Sequence, residues 1–145
     1  MESLNAQGIY TVPEGVKQAV QEQFYAGFCG DEQAQAAIKT VWENHHYLCD
    51  THTATAWAVA EDYVNQTGDN RPMVVLSTAS AYKFPGSVLS ALEPVAGSDE
   101  FAQMDRLAAL TGWPIPNNLA GLQEKKELHT GVIEKDTMLQ FVMGL

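Results

Sequence analysis

The run Met73-Val74-Val75-Leu76 is four apolar residues with no polar interruption, set just after a long helical stretch. Such a run reads as an interior strand of a parallel sheet, buried on both faces. It predicts an α/β fold in which neighbouring elements cover both sides. It is followed at once by Ser77-Thr78-Ala79-Ser80. In open α/β sheets ligands bind beyond the carboxyl ends of the strands. Small residues there admit a ligand close to the backbone, and hydroxyls both donate and accept hydrogen bonds. The same four residues also suit an ordinary turn in which a hydroxyl satisfies local backbone groups.

The rest of the pattern is mainly helical. Val16, Val20 and Phe24 recur every four residues after Pro13, which predicts a helix from about Pro13 to Phe28. Asp31 is a good N-cap for a second helix, ending near Asn44. Its stripe Ala34, Ala37, Ile38, Val41 and Trp42 has helical spacing throughout. After a short extended piece at Tyr47–Cys49, a third helix runs from Asp50-Thr51-His52-Thr53 through Ala54–Val64 to Thr67-Gly68. Its first half is apolar almost all round, which predicts burial. Further helices are expected from Pro85 to about Leu92 and from a Ser98 cap to Thr111-Gly112. One turn is expected at Asn118–Leu122, a strand at Leu128–Ile133 and a closing helix at Asp136–Met143. The total is about six helices with two or three short strands, too few strands for a sheet of their own. No internal boundary is expected within 1–145.

Composition narrows the function. Eight basic residues against 18 acidic ones give a net charge of −10. That charge repels phosphate backbones and anionic lipid, so neither nucleic acid nor membrane is an expected partner. No apolar run is long enough to span a bilayer, and no secretory leader opens the chain. Two cysteines, Cys29 and Cys49, suit a cytoplasmic protein with free thiols, a disulfide between them remaining open.

His45, His46, Cys49, Asp50 and His52 are all possible zinc ligands, but their spacing fits no standard zinc pattern. No metal is expected there. The histidines serve equally as polar groups at a helix end, with His52 a candidate for the site loop. Lys83 follows the hydroxyl cluster, where it could meet a ligand phosphate or stay solvated. There is no glycine-rich phosphate cradle and no nucleophile-elbow motif.

Asp50-Thr51-His52-Thr53-Ala54 and Leu76-Ser77-Thr78-Ala79-Ser80-Ala81-Tyr82-Lys83-Phe84-Pro85 together resemble the C-terminal part of bacterial threonine synthases. Gly8–Val12, Ala26–Cys29, Thr111–Pro116 and His129–Lys135 resemble further family segments in the same order. Thr51 and Ala81 stand where the family usually has proline. The resemblance implies a helix-rich C-terminal fragment of a fold type II pyridoxal-phosphate (PLP) enzyme domain. It implies a reaction converting O-phosphohomoserine and water to threonine and phosphate. The family's Schiff-base lysine and phosphate cradle lie N-terminal to the matching segments. This chain alone is therefore expected to be inactive, to contain no catalytic residue of its own, and to need the N-terminal remainder as partner. By the same resemblance Thr78 matches the residue set against the PLP pyridine nitrogen. Ser77 and Ser80 are further cofactor-binding candidates, and Lys83 and His52 substrate-site candidates. The alternatives are a stand-alone acidic α/β binding module without activity and, resting on the histidines alone, a zinc-binding regulatory domain.

Overall fold

A computed structural model describes residues 2–144. Among these, regular structure is entirely helical: α1 (Glu2–Gln7), α2 (Glu14–Gln21), α3 (Asp31–His45), α4 (Thr51–Thr67), α5 (Pro85–Leu92), α6 (Glu100–Thr111) and α7 (Met138–Met143). Three 3₁₀ turns, at Ala81–Lys83, Leu122–Glu124 and Lys135–Thr137, complete the set. The chain divides into two compact units, residues 1–114 and 115–145.

The expected α/β architecture is therefore corrected: no β-strand occurs among the described residues. The physical reason is that a strand exists only through its ladder. Residues 47–49, 73–76 and 128–133 are not helical, but no two of them pair. Met73–Leu76 finds no covering layers either. Val74 is 81% exposed and Leu76 73%.

Within the first unit, α3 packs against α4 and α5, and α5 packs against α6. The core is small and continuous. Ile38 and Val41 come from α3, Ala54 from α4, Val88 and Leu89 from α5, and Met104 and Leu107 from α6; all are buried. The stripe expected for α3 therefore faces inward as its spacing predicts. Leu48, Cys49, Ala81 and Tyr82 fill the spaces between helices from the connecting segments. Tyr82 is held by a hydrogen bond from its hydroxyl to the Trp113 carbonyl (2.6 Å).

Helix ends follow local chemistry. Gly30 rather than Asp31 caps α3, and the Gln33 side chain accepts from the Gly30 N–H (3.1 Å). Asp99 rather than Ser98 caps α6, accepting from the Phe101 and Ala102 amides. Gly68 ends α4 in the left-handed conformation (φ 69°), as its position predicts. Helix α2 stops at Gln21, well before Phe28. Beyond it the chain runs along α4. Tyr25 stacks edge-on against Tyr63 at 5.1 Å, and Gly27 lies so close to Val59 that a Cβ would meet its methyl group at 2.8 Å. Contact with α4 outweighs the helical spacing of the sequence here.

One further expectation is overturned. Helix α4 is not wholly buried: only Thr53 and Ala54 are, while Trp57–Ala60 are half-covered. The stripe Val16, Val20 and Phe24 faces outward at 49–69% exposure. In the second unit Leu139, Phe141 and Val142 of α7 are likewise exposed.

The core carries the stability. Ile38→Ala should lower the unfolding free energy by about 2–5 kcal/mol, since it leaves a void in a packed site. Val16→Ala, on an exposed face, should change it by no more than ~0.5 kcal/mol. Urea titration of both variants checks the contrast.

Candidate functional site

The N-terminus of α4 gathers most of the residues singled out from the sequence. Asp50 is its N-cap and is fully buried. One carboxylate oxygen, Oδ2, accepts from the His52 amide (3.0 Å) and lies 2.8 Å from His52 Nδ1. The other, Oδ1, accepts from the Thr53 amide (3.2 Å) and the Thr53 hydroxyl (2.5 Å). Burial pushes the Asp50 carboxyl up, but the hydrogen bonds from Thr53 and His52 outweigh it, and the net shift is downward. The group is ionised at neutral pH.

From Thr53 the network crosses to the hydroxyl loop. Thr53 Oγ1 and Ser77 Oγ are 3.2 Å apart, and the Tyr47 hydroxyl lies 2.9 Å from Ser77 Oγ. Proton accounting fixes the direction. Thr53 has one hydroxyl proton, and the carboxylate, which can only accept, takes it. Ser77 must then donate to Thr53, and Tyr47 donates to Ser77. The order Tyr47, Ser77, Thr53, Asp50 leaves Ser77 no proton for a ligand.

The other hydroxyls of the loop differ. Ser80 caps the following 3₁₀ turn, accepting from the Tyr82 amide (3.3 Å). Thr78 is exposed, and its hydroxyl has no hydrogen-bond partner among the described residues. Lys83 is exposed on the 3₁₀ turn and makes no ion pair among the described residues.

The histidines do not converge. His45 packs against Trp57 (5.3 Å between ring centres), and His46 packs against Trp42 (5.8 Å). His52 alone joins the site, its ring against Phe84 at 5.1 Å. Among the described residues no three His, Cys, Asp or Glu side chains gather as a metal site. Cys29 and Cys49 are free thiols, and burial pushes Cys49 up to about 11. No described helix is long and apolar enough to cross a membrane.

Sequence reasoning missed Tyr47 and the capping role of Asp50. The capping role was readable, since aspartate before Thr-His-Thr and an apolar run is a helix-start signal. Tyr47 carried no such signal, because its partner is 30 residues away.

Asp50 makes stability depend on acid. Its folded pKa is depressed, so its contribution is complete above the unfolded value near ~4 and is lost as pH falls through the folded pKa. Asp50→Ala should cost about 1–3 kcal/mol at pH 7, through loss of a cap and of buried hydrogen-bond partners. It should also flatten the decline of stability below pH ~4. Thermal melts across pH 2–7 test both.

Comparison with known proteins shows the family of the chain. The family described as threonine synthase, C-terminal, matches residues 53–140, more than half of the chain. The human protein named Threonine synthase-like 1 is 29% identical over 90 residues, covering 62% of this chain. The Macaca fascicularis protein of the same name is 30% identical over 90 residues, and the mouse one 33% over 73 residues, or 50% of this chain. The matched segment spans only 12% of the length of the human relative. With the family's match running from the Thr53 of the buried network to the closing helix, the chain belongs to the threonine synthase C-terminal family.

Proposed function

We propose that this chain works as the C-terminal part of a PLP-dependent threonine synthase, converting O-phosphohomoserine and water to threonine and phosphate with the N-terminal remainder of the enzyme. The observation that carries this is the state of the hydroxyl loop. An unprotonated pyridine nitrogen needs a hydrogen-bond donor. Thr78 has one that no partner among the described residues uses, on a loop fixed by the bonds of its neighbours Ser77 and Ser80. The residues present thus fit one edge of PLP.

When bound, PLP supplies an electron sink for carbanion chemistry. The chain's own part is to hold and tune it. Thr78 would donate to the ring nitrogen; a neutral hydroxyl there withdraws less charge than a carboxylate–pyridinium pair would impose. Ser77 stiffens the loop from beneath through Thr53 and Asp50. Ser80, which only accepts from the Tyr82 amide, would offer its own proton to the cofactor, and Lys83, exposed on the 3₁₀ turn, would meet a phosphate. The free thiols accord with a cytoplasmic setting.

Thr78→Val in the intact, PLP-loaded enzyme should reduce turnover by about 10–100-fold, the equivalent of ~1–3 kcal/mol for one hydrogen bond. It should also shift the PLP absorption band. The melting temperature of the apo form should not move, because the hydroxyl has no partner among the described residues. Unchanged turnover and spectrum with a lowered apo melting temperature would return Thr78 to a purely structural role. The 145-residue chain alone, given PLP and O-phosphohomoserine, should release no phosphate above background; turnover at the rate of an intact enzyme would refute the division of labour.

A further inference from the structure

His52 is held more firmly than an exposed histidine needs to be. Its side chain is 63% exposed, so burial does little to fix it. Yet Nδ1 lies 2.8 Å from Asp50 and the ring packs against Phe84 at 5.1 Å. Asp50 does not depend on the ring, since the two amides and the Thr53 hydroxyl already supply three donors. Ordering an exposed side chain costs rotamer entropy, so a preset ring in this position points to use.

Asp50 is an acceptor only, so Nδ1 carries the proton of the neutral ring and Nε2 presents a lone pair. His52 lines a cavity of about 390 Å³ with Gln35, Thr51, Thr55, Ser87 and Asp31. These side chains are polar, Cys29, Gly30, Ala34 and Ile38 complete the lining, and no Lys or Arg is among the cavity's residues. Phosphate would meet an acceptor nitrogen and a carboxylate there, with no cation to offset them. Water is the better occupant, since it can donate to Nε2 and bond to hydroxyls and amides in a polar space large enough to hold it.

We propose that His52 binds and orients, through Nε2, the water that the reaction consumes; this rests on the threonine synthase reading above. Its neighbour Thr53 bonds Ser77 on the loop carrying Thr78. The role is a hydrogen bond, with no covalent step at the imidazole.

The chemistry offers a readout beyond rate. A substrate that has lost phosphate without gaining water at Cβ is an unsaturated amino acid. Hydrolysis of its tautomer consumes the same one water but gives 2-oxobutyrate and ammonia in place of threonine. His52→Asn keeps an N–H donor where Nδ1 was and removes Nε2. In the intact, PLP-loaded enzyme it should release phosphate within a few-fold of the parent, with threonine per phosphate down about tenfold or more and 2-oxobutyrate making up the difference. His52→Gln, whose amide reaches the Nε2 position, should restore part of the threonine. A parental product ratio in His52→Asn would overturn the proposal. So would loss of phosphate release in a folded variant, which would put His52 before hydration. If the parent enzyme itself releases no phosphate from O-phosphohomoserine, the reading of function fails, and this falls with it. Should the variants not fold, ¹⁵N NMR of the parent chain decides: the Nδ1–H tautomer of His52 is required, and the Nε2–H tautomer would refute the assignment.

Discussion

A carboxylate shut away from water must find all its partners in the protein, because an unpaired buried charge costs several kcal/mol. Asp50 is in that position, and the four donors it collects come from the two residues His52 and Thr53. Meeting this one demand starts α4 and consumes the only proton of the Thr53 hydroxyl. Ser77 then has to donate to Thr53, which ties a loop 24 residues away to the helix end. The candidate site is a consequence of satisfying a buried charge.

The helix packing serves the same region. Helix α3 lies against both α4 and α5, so the start of α4 and the turn before α5 are carried on one support. Tyr82, buried within that turn, reaches the Trp113 carbonyl beyond α6. Burial pushes its phenol upward, so it stays a neutral donor there. The loop bearing Thr78 thus lies between two anchors, Ser77 on α4 and Tyr82 on the chain after α6. A loop held at both ends can keep one hydroxyl in place without bonding that hydroxyl to anything.

Much of this was legible in the residues. The stripe of α3 and the glycine ends of α4 and α6 follow from local spacing and backbone freedom, which sequence records directly. Pro85 at the start of α5 is of the same kind. The hydroxyls 77–80, His52 and Lys83 were visible as residue types in a suggestive order. Misreadings arose where the outcome depends on partners. Met73–Leu76 has the apolar character of a buried strand, but ladders and covering layers are properties of two segments, and the second is not among the described residues. The end of α2 fails for the same reason, since contact of Tyr25 and Gly27 with α4 decides it. The separate duties of Ser77, Ser80 and Thr78 were also out of reach, because counting protons requires knowing which oxygens are neighbours.

The one-way order of hydroxyls from Tyr47 to Asp50 has a consequence for how such a sequence can drift. Each member is fixed by the proton its neighbour gives or takes, and the members lie on two separate stretches of chain, 47–53 and the loop at Ser77. Replacing Thr53 by valine would strand the Ser77 proton and cost the carboxylate a donor at once. Replacing Asp50 by asparagine would leave one acceptor oxygen and turn an NH2 group toward donors that both carboxylate oxygens now accept from. Single changes along this path are therefore penalised more than their side-chain volumes suggest. Descendants would be expected to change several of these positions together or none of them.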